Sequence, residues 1–269
     1  FTETYCVGAR YFTPENGARI EAMRGQIAAW SLQPELEAVL LVALMEAADR
    51  VDSTVGVQMA YLKQWAARAL KPLKLRLPDL LPCAKNGAGD AHALDALDAA
   101  AALDADLVYL DPPYNQHSYL GNYHVWETLV RWDAPDVYGV AQKRIDVRER
   151  KSAFNSKRQI AEALTQVVAA CRAPRLLVSF SNEGAIRHSE MVALLSSRGS
   201  VSTLSRGHGR YIGSQIGVYD PQGRKVGTPG KSRNIEYLFV VTAAPWHGGE
   251  ALVAAGIADG FHVATNDAS

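Results

Sequence analysis

Four consecutive residues carry the sharpest chemistry in the chain: Asp111, Pro112, Pro113 and Tyr114. They follow the short apolar run Leu107-Val108-Tyr109-Leu110, which reads as a strand. A strand ending at Asp111 puts the carboxylate at the carboxyl edge of a sheet, where ligands bind in open α/β folds. Two prolines in a row stiffen the backbone and remove two N–H donors. Their carbonyls stay available to a ligand, and Tyr114 adds an aromatic face. This set suits the holding of an exocyclic amine on a flat ring. Asp111 and the Pro112 carbonyl accept the two amine hydrogens while Tyr114 stacks on the ring. Hydrogen bonds directed out of the ring plane draw the nitrogen lone pair from conjugation and aim it at a methyl donor. No strong base is required, because the nitrogen can lose its proton after the methyl arrives. A proline-rich turn with Asp111 as a helix cap is the plainer alternative, and the preceding apolar strand argues against it.

The elements around the motif set the fold class. Thr13-Pro14-Glu15 is a helix start, with a capping hydroxyl and proline at the first helical position. Ile20, Met23, Ile27 and Trp30 follow at helical spacing. A second helix is predicted over Glu35 to Val51 and is apolar on most sides, and a third over Val57 to Ala69. From Lys71 to Gly89 prolines and glycines mark a boundary. Beyond it helices are expected over Asp90 to Leu103, Ile160 to Cys171 and Ser189 to Arg198. Strands are expected over Leu107 to Leu110, Arg175 to Phe180, Val201 to Leu204, Tyr211-Ile212 and Ile235 to Thr242. Alternating helices and apolar strands imply an α/β fold: a mostly parallel, Rossmann-like sheet with helices on both faces. The last strands lack helices between them, so that edge is expected to be antiparallel. Residues 217–232 read as a mobile loop. The domain reading is a mainly helical target-recognition segment over residues 1–74, a catalytic core over 75–244 and a loosely ordered tail over 245–269.

The 269 residues hold 28 Lys+Arg against 28 Asp+Glu, so the net charge is zero. The distribution is more informative than the sum. Lys143, Arg144, Arg148, Arg150, Lys151, Lys157 and Arg158 crowd one stretch; Arg206, Arg210, Arg224, Lys225, Lys231 and Arg233 crowd another. One such run reads as a solvated loop. Two runs flanking a catalytic motif point to phosphate contacts, with Arg148, Arg150, Lys151, Arg206 and Arg210 as the candidates. Cys6, Cys83 and Cys171 are far apart and show no metal-binding or disulfide spacing, so no metal is expected and the thiols read as reduced core residues of a cytoplasmic protein. No apolar run is long enough to span a bilayer, and no protein partner is evident.

Several segments in order resemble the DNA adenine methylase family. They are Ala9 to Gly17, then Gly89-Asp90-Ala91, then the Asp-Pro-Pro-Tyr motif. A strand ending in Ser181-Asn182 follows, then a basic hairpin over Arg206 to Gly213 and a final strand at Asn234-Ile235-Glu236-Tyr237-Leu238. The resemblance implies methyl transfer from S-adenosylmethionine to adenine N6 in double-stranded DNA, with the base flipped out of the duplex. It also implies that Asp111, Pro112, Pro113 and Tyr114 are catalytic and that Asp90, with Asp111, contacts the cofactor. Asp90 equally reads as a helix N-cap. Asn182 would shape the target pocket or serve as a turn residue. Tyr119 would join the pocket wall, while Tyr123 and Trp126 share its aromatic cluster and Trp126 reads equally as helix packing. The same tetrapeptide suits cytosine N4 or RNA adenine, and a DNA-binding remnant without activity is the third reading. The family's Gly-rich cofactor loop is not found; with Phe1 in place of Met, the expectation is an N-terminally truncated enzyme that binds S-adenosylmethionine poorly.

Overall fold

A computed structural model describes residues 1–209, 233–243 and 246–263. The expected strand at Tyr211-Ile212 and loop over residues 217–232 lie outside the described residues. The chain forms two compact units: Phe1–Asp90 with His117–Lys151, and Ala91–Gln116 with Ser152–Ser269.

The first unit is built on helices. Helix α1 (Pro14–Ala29) starts as its sequence dictates: Thr13 is extended and its hydroxyl accepts from the Asn16 N–H at 3.3 Å. Helix α2 (Pro34–Asp49) buries Ala43, Leu44, Ala47 and Ala48 and leaves Leu36 and Val42 exposed, so only one side enters the core. Residues 57–69 do not form the expected third helix. Their polar groups bond to a buried turn instead. Leu62 N–H donates to the Ser53 carbonyl, Ala66 N–H to the Ser53 hydroxyl, and Arg68 pairs with fully buried Asp52. These bonds replace a helical ladder. Within the same unit Asn16 bonds the Ala69 and Lys71 carbonyls and the Leu73 N–H, which ties α1 to the next segment. Tyr5, Tyr11, Phe12, Ile20, Leu44, Val125 and Leu129 form the core.

The second unit is a mixed α/β sheet with helices on both faces, in agreement with the expected class. Helix α3 is shorter than expected, Ala96–Ala102, and its N-cap is Asp95 rather than Asp90. Strand β1 spans Val108–Leu110. In the first unit follow helix α4 (Tyr119–Arg131), which the aromatic spacing hinted at only for Trp126, and the short pair β2 (Val137–Tyr138) and β3 (Lys143–Arg144). The second unit continues with α5 (Ile160–Ala170), β4 (Arg175–Ser181), α6 (His188–Leu195), β5 (Ser200–Gly209) and β6 (Arg233–Thr242). With β7 (His262–Val263) the sheet order is β1-β4-β6-β5-β7.

The sheet is less parallel than expected. Among the described strands β1 and β4 alone pair in parallel; β4 with β6, β5 with β6 and β5 with β7 are antiparallel. Strands β4 and β5, linked through α6, do run in the same direction. The hairpin strand β6 has inserted between them because its apolar run, with Tyr237, Phe239, Val240 and Val241 all buried, needs covering on both edges and both faces. One face packs Leu176, Val178, Phe180 and Phe239 against Leu164, Val168, Met191 and Leu195 of α5 and α6. Truncating a fully buried phenylalanine such as Phe239 would cost roughly 3–5 kcal/mol. The other face is covered over Leu204 by α7 (His247–Ala258), and β7 (His262–Val263) pairs with β5. Residues 247–258 and 262–263 thus form a helix and a strand where a loosely ordered tail was expected. Gly248 lets the Trp246 ring lie where a Cβ would stand 2.5 Å from it.

Candidate active site

The residues with chemical potential gather at the carboxyl end of β1 and β4 in the second unit. Asp111 follows β1 directly and is exposed. The Ser179 hydroxyl of β4 donates to Asp111 Oδ1 at 2.6 Å, and the Tyr109 hydroxyl donates to Ser179 Oγ at 3.1 Å. The parallel register explains the contact: Leu110 lies beside Val178, so Asp111 comes next to Ser179 on the same face. The relay occupies one carboxylate oxygen and fixes the plane of the other. Among the described residues nothing donates to Oδ2. The prolines and Tyr114 are half-buried, and the Tyr114 ring meets Phe180 edge-on at 5.7 Å. Phe180 is itself held against Gly184, where a Cβ would stand 2.2 Å from the ring. A rigid aromatic therefore flanks an oriented carboxylate at an open edge. That arrangement can accept hydrogens from a flat ring's amine.

Asn182 bonds to the sheet: its N–H donates to the Ile235 carbonyl and its Oδ1 accepts from the Ile235 N–H, both at 3.0 Å. The clip prolongs the β4–β6 pairing by one residue. Tyr109, Ser179 and Glu236 were not foreseen. The available signal was the polar alternation Ser179-Phe180-Ser181 in an otherwise apolar strand.

Asp90 and Tyr119 belong to the first unit. Asp90 is exposed on an irregular stretch. Tyr119 begins α4, stacks on Tyr123 with ring centroids 6.2 Å apart, and lines a groove of ≈ 390 Å³ with Met45, Trp126 and Arg150. Of the cationic candidates, Arg148 lies over the Tyr138 ring at 3.8 Å, and Arg150 pairs with Glu127 at 2.7 Å and Asp146 at 3.3 Å. Lys151 is exposed; Arg206 is exposed and lies 5.6 Å from the Phe261 ring. Arg210 lies outside the described residues. Buried Arg144, in the same run, clamps Asp133 and Asp146 and holds both carboxyls below their ordinary range. The first basic run is thus partly a structural ion-pair cluster.

A family profile described as D12 class N6 adenine-specific DNA methyltransferase matches residues 2–187. The chain belongs to that family. Among characterised relatives, this D12-class chain is 36% identical over 197 residues to the type II methyltransferase M.FokI of Planomicrobium okeanokoites, covering 72% of the chain and 30% of that protein. It is 32% identical over 189 residues to M.NlaIII of Neisseria lactamica, covering 67% and 55%, and 30% identical over 208 residues to M.CviAII of Paramecium bursaria Chlorella virus 1, covering 75% and 60%. The chain thus spans between about a third and three fifths of the length of these relatives. No solved structure matches it significantly. The family implies a methyl donor and a DNA substrate. Among the described residues of the D12-class chain no helix is long and apolar enough to cross a membrane, and no cluster could hold a metal ion. The described residues do not by themselves fit a whole methyl donor: β1 is the outer strand of the sheet, with Tyr109 55% exposed, and no turn with two glycines joins a strand of the sheet to a helix.

Proposed function

We propose that the protein methylates N6 of adenine in double-stranded DNA, with S-adenosylmethionine as donor, in the cytoplasm. The observation that carries the reading is the hydrogen-bonded relay Tyr109–Ser179–Asp111 beside Pro112, Pro113 and Tyr114. The flipped adenine stacks on Tyr114 and is kept in place by Phe180 behind that ring. Asp111 Oδ2 and the Pro112 carbonyl accept the two N6 hydrogens; Pro113 fixes the turn. Accepting both hydrogens leaves the nitrogen lone pair as the outward-facing group. Unstacking and unpairing the base costs a few kcal/mol, offset by stacking on Tyr114 and by phosphate contacts from Arg148, Arg150, Lys151, Arg206 and Arg210. Asn182 holds the floor of the target pocket through Ile235. The test is digestion of DNA after reaction. N6-methyladenine is expected; N4-methylcytosine without methyladenine, or methylation of RNA alone, would replace this reading with another amine acceptor.

A further inference from the structure

The face of the sheet that carries Asp111 holds a second carboxylate. Ser179 and Ser181 are two residues apart on β4 and so point to the same side. Ser179 bonds Asp111. Ser181, buried, stands opposite Glu236 of β6 in the register, and its Oγ accepts from the Glu183 N–H at 3.4 Å. Ser179 thus holds one carboxylate, and Ser181 stands across from a second in the next same-face position. Asn182 fixes the register at this point by clipping Ile235, the residue before Glu236. Glu236 lies outside the stretch matched by the family profile.

We propose that Glu236 is a positioning residue of the amine-acceptor site: placed opposite Ser181 on the face of the Asp111–Ser179 pair, its ionised carboxylate strengthens Asp111 as an acceptor of amine hydrogens. The inference rests on the proposed function. A buried or half-buried negative charge next to an acceptor increases the attraction of that acceptor for hydrogens, because little solvent screens the pair. Burial raises the Glu236 carboxyl above the ordinary glutamate range; Ser181 and His208 oppose the rise, and Asp111 adds to it. The charged or titrating groups around it are Asp111 after β1, Arg206 and His208 on β5, and Glu183, which accepts from Asn234 beside it on β6. Asp111 is the exposed acceptor here, and Glu236 the half-buried partner.

The experiment uses Glu236→Gln, which keeps the shape and an oxygen for Ser181 but removes the charge, with Glu236→Ala alongside. Steady-state methylation of duplex DNA should show kcat about tenfold lower in Glu236→Gln, KM for DNA unchanged, and the melting temperature unchanged. The wild-type rate should fall as pH drops through the raised Glu236 titration, and that limb should be lost in Glu236→Gln. A kcat within twofold of wild type, or a rate loss matched by a loss of melting temperature, would overturn the proposal. A second readout needs no methylation. Carbon-13 NMR of the Glu236 carboxyl should show a midpoint above the ordinary glutamate range that moves down in Asp111→Asn. An ordinary midpoint, unmoved by that substitution, would also overturn it. Absence of DNA methylation by the wild type would count against the proposed function alone, and the NMR titration would still decide the coupling.

Discussion

Removing the Ser179 hydroxyl isolates the orientation of Asp111 from its presence. In Ser179→Ala the carboxylate remains but loses its 2.6 Å donor, and the Tyr109 hydroxyl loses its acceptor. Hydrogen bonds to charged groups contribute roughly 1.5–3 kcal/mol. The Ser179 side chain is half-exposed, so water replaces part of that in the variant. If about 1.4–2.8 kcal/mol of the relay acts on the transition state, the rate falls about 10–100-fold. DNA affinity should not change, because the relay points at the amine rather than at phosphates. Folding stability should change little, since a half-exposed serine at a strand end carries no core. Single-turnover methylation with excess enzyme reads the step directly, with a melting curve as control. Tyr109→Phe should show a smaller loss, as it acts one bond further away. Wild-type rates in Ser179→Ala would refute the view that the serine orients the acceptor.

Three further outcomes are expected. Burial holds His124 down to about 4, and its Nδ1 has no hydrogen-bond partner among the described residues; the unfolded chain takes up a proton that the folded chain refuses. Stability is then complete above pH 6.5 and declines from there to about pH 4, by on the order of 3 kcal/mol, with no further loss from this group below that; urea unfolding across that range should lose this slope in His124→Gln. Neutralising Arg148, Arg150 and Lys151 together should weaken DNA binding at every sequence and flatten its salt dependence. Because Arg150 is already paired with Glu127 and Asp146, the triple change should reduce the slope by about two rather than three contacts; an unchanged slope would assign the run to the ion-pair cluster alone. Titration calorimetry of the 269-residue chain with S-adenosylmethionine should show binding weaker than micromolar, that is, less than about 8 kcal/mol, and micromolar binding would show that the described residues do make a donor site.

Local chemistry was legible where residues act on their own neighbours. Thr13 and Pro14 announced α1, and the apolar run before Asp111 announced β1 and the edge on which the motif sits. Helix-linked strands were read correctly as sharing a direction. What the sequence concealed depended on distant partners. Residues 57–69 have helical spacing, yet bonds to Asp52 and Ser53 hold them in turns. The insertion of β6 between β4 and β5 is a register fact with no local signature. The close approach of the Trp246 ring to Gly248 leaves no mark in the weakly patterned tail, because it exists only in three dimensions. At the site, the tetrapeptide stood out by composition, whereas Ser179 and Glu236 become meaningful only once β1, β4 and β6 are aligned.

Methyl incorporation into duplex DNA by Asp111 variants decides whether Asp111 holds the amine that is methylated. Asp111→Ala should abolish transfer while leaving the melting temperature unchanged, since the residue is exposed at the sheet edge. Asp111→Asn should retain part of the rate, because its one amide oxygen can still accept from the amine, while the contact with Ser179 is lost. Incorporation by Asp111→Ala at the wild-type rate would contradict the account.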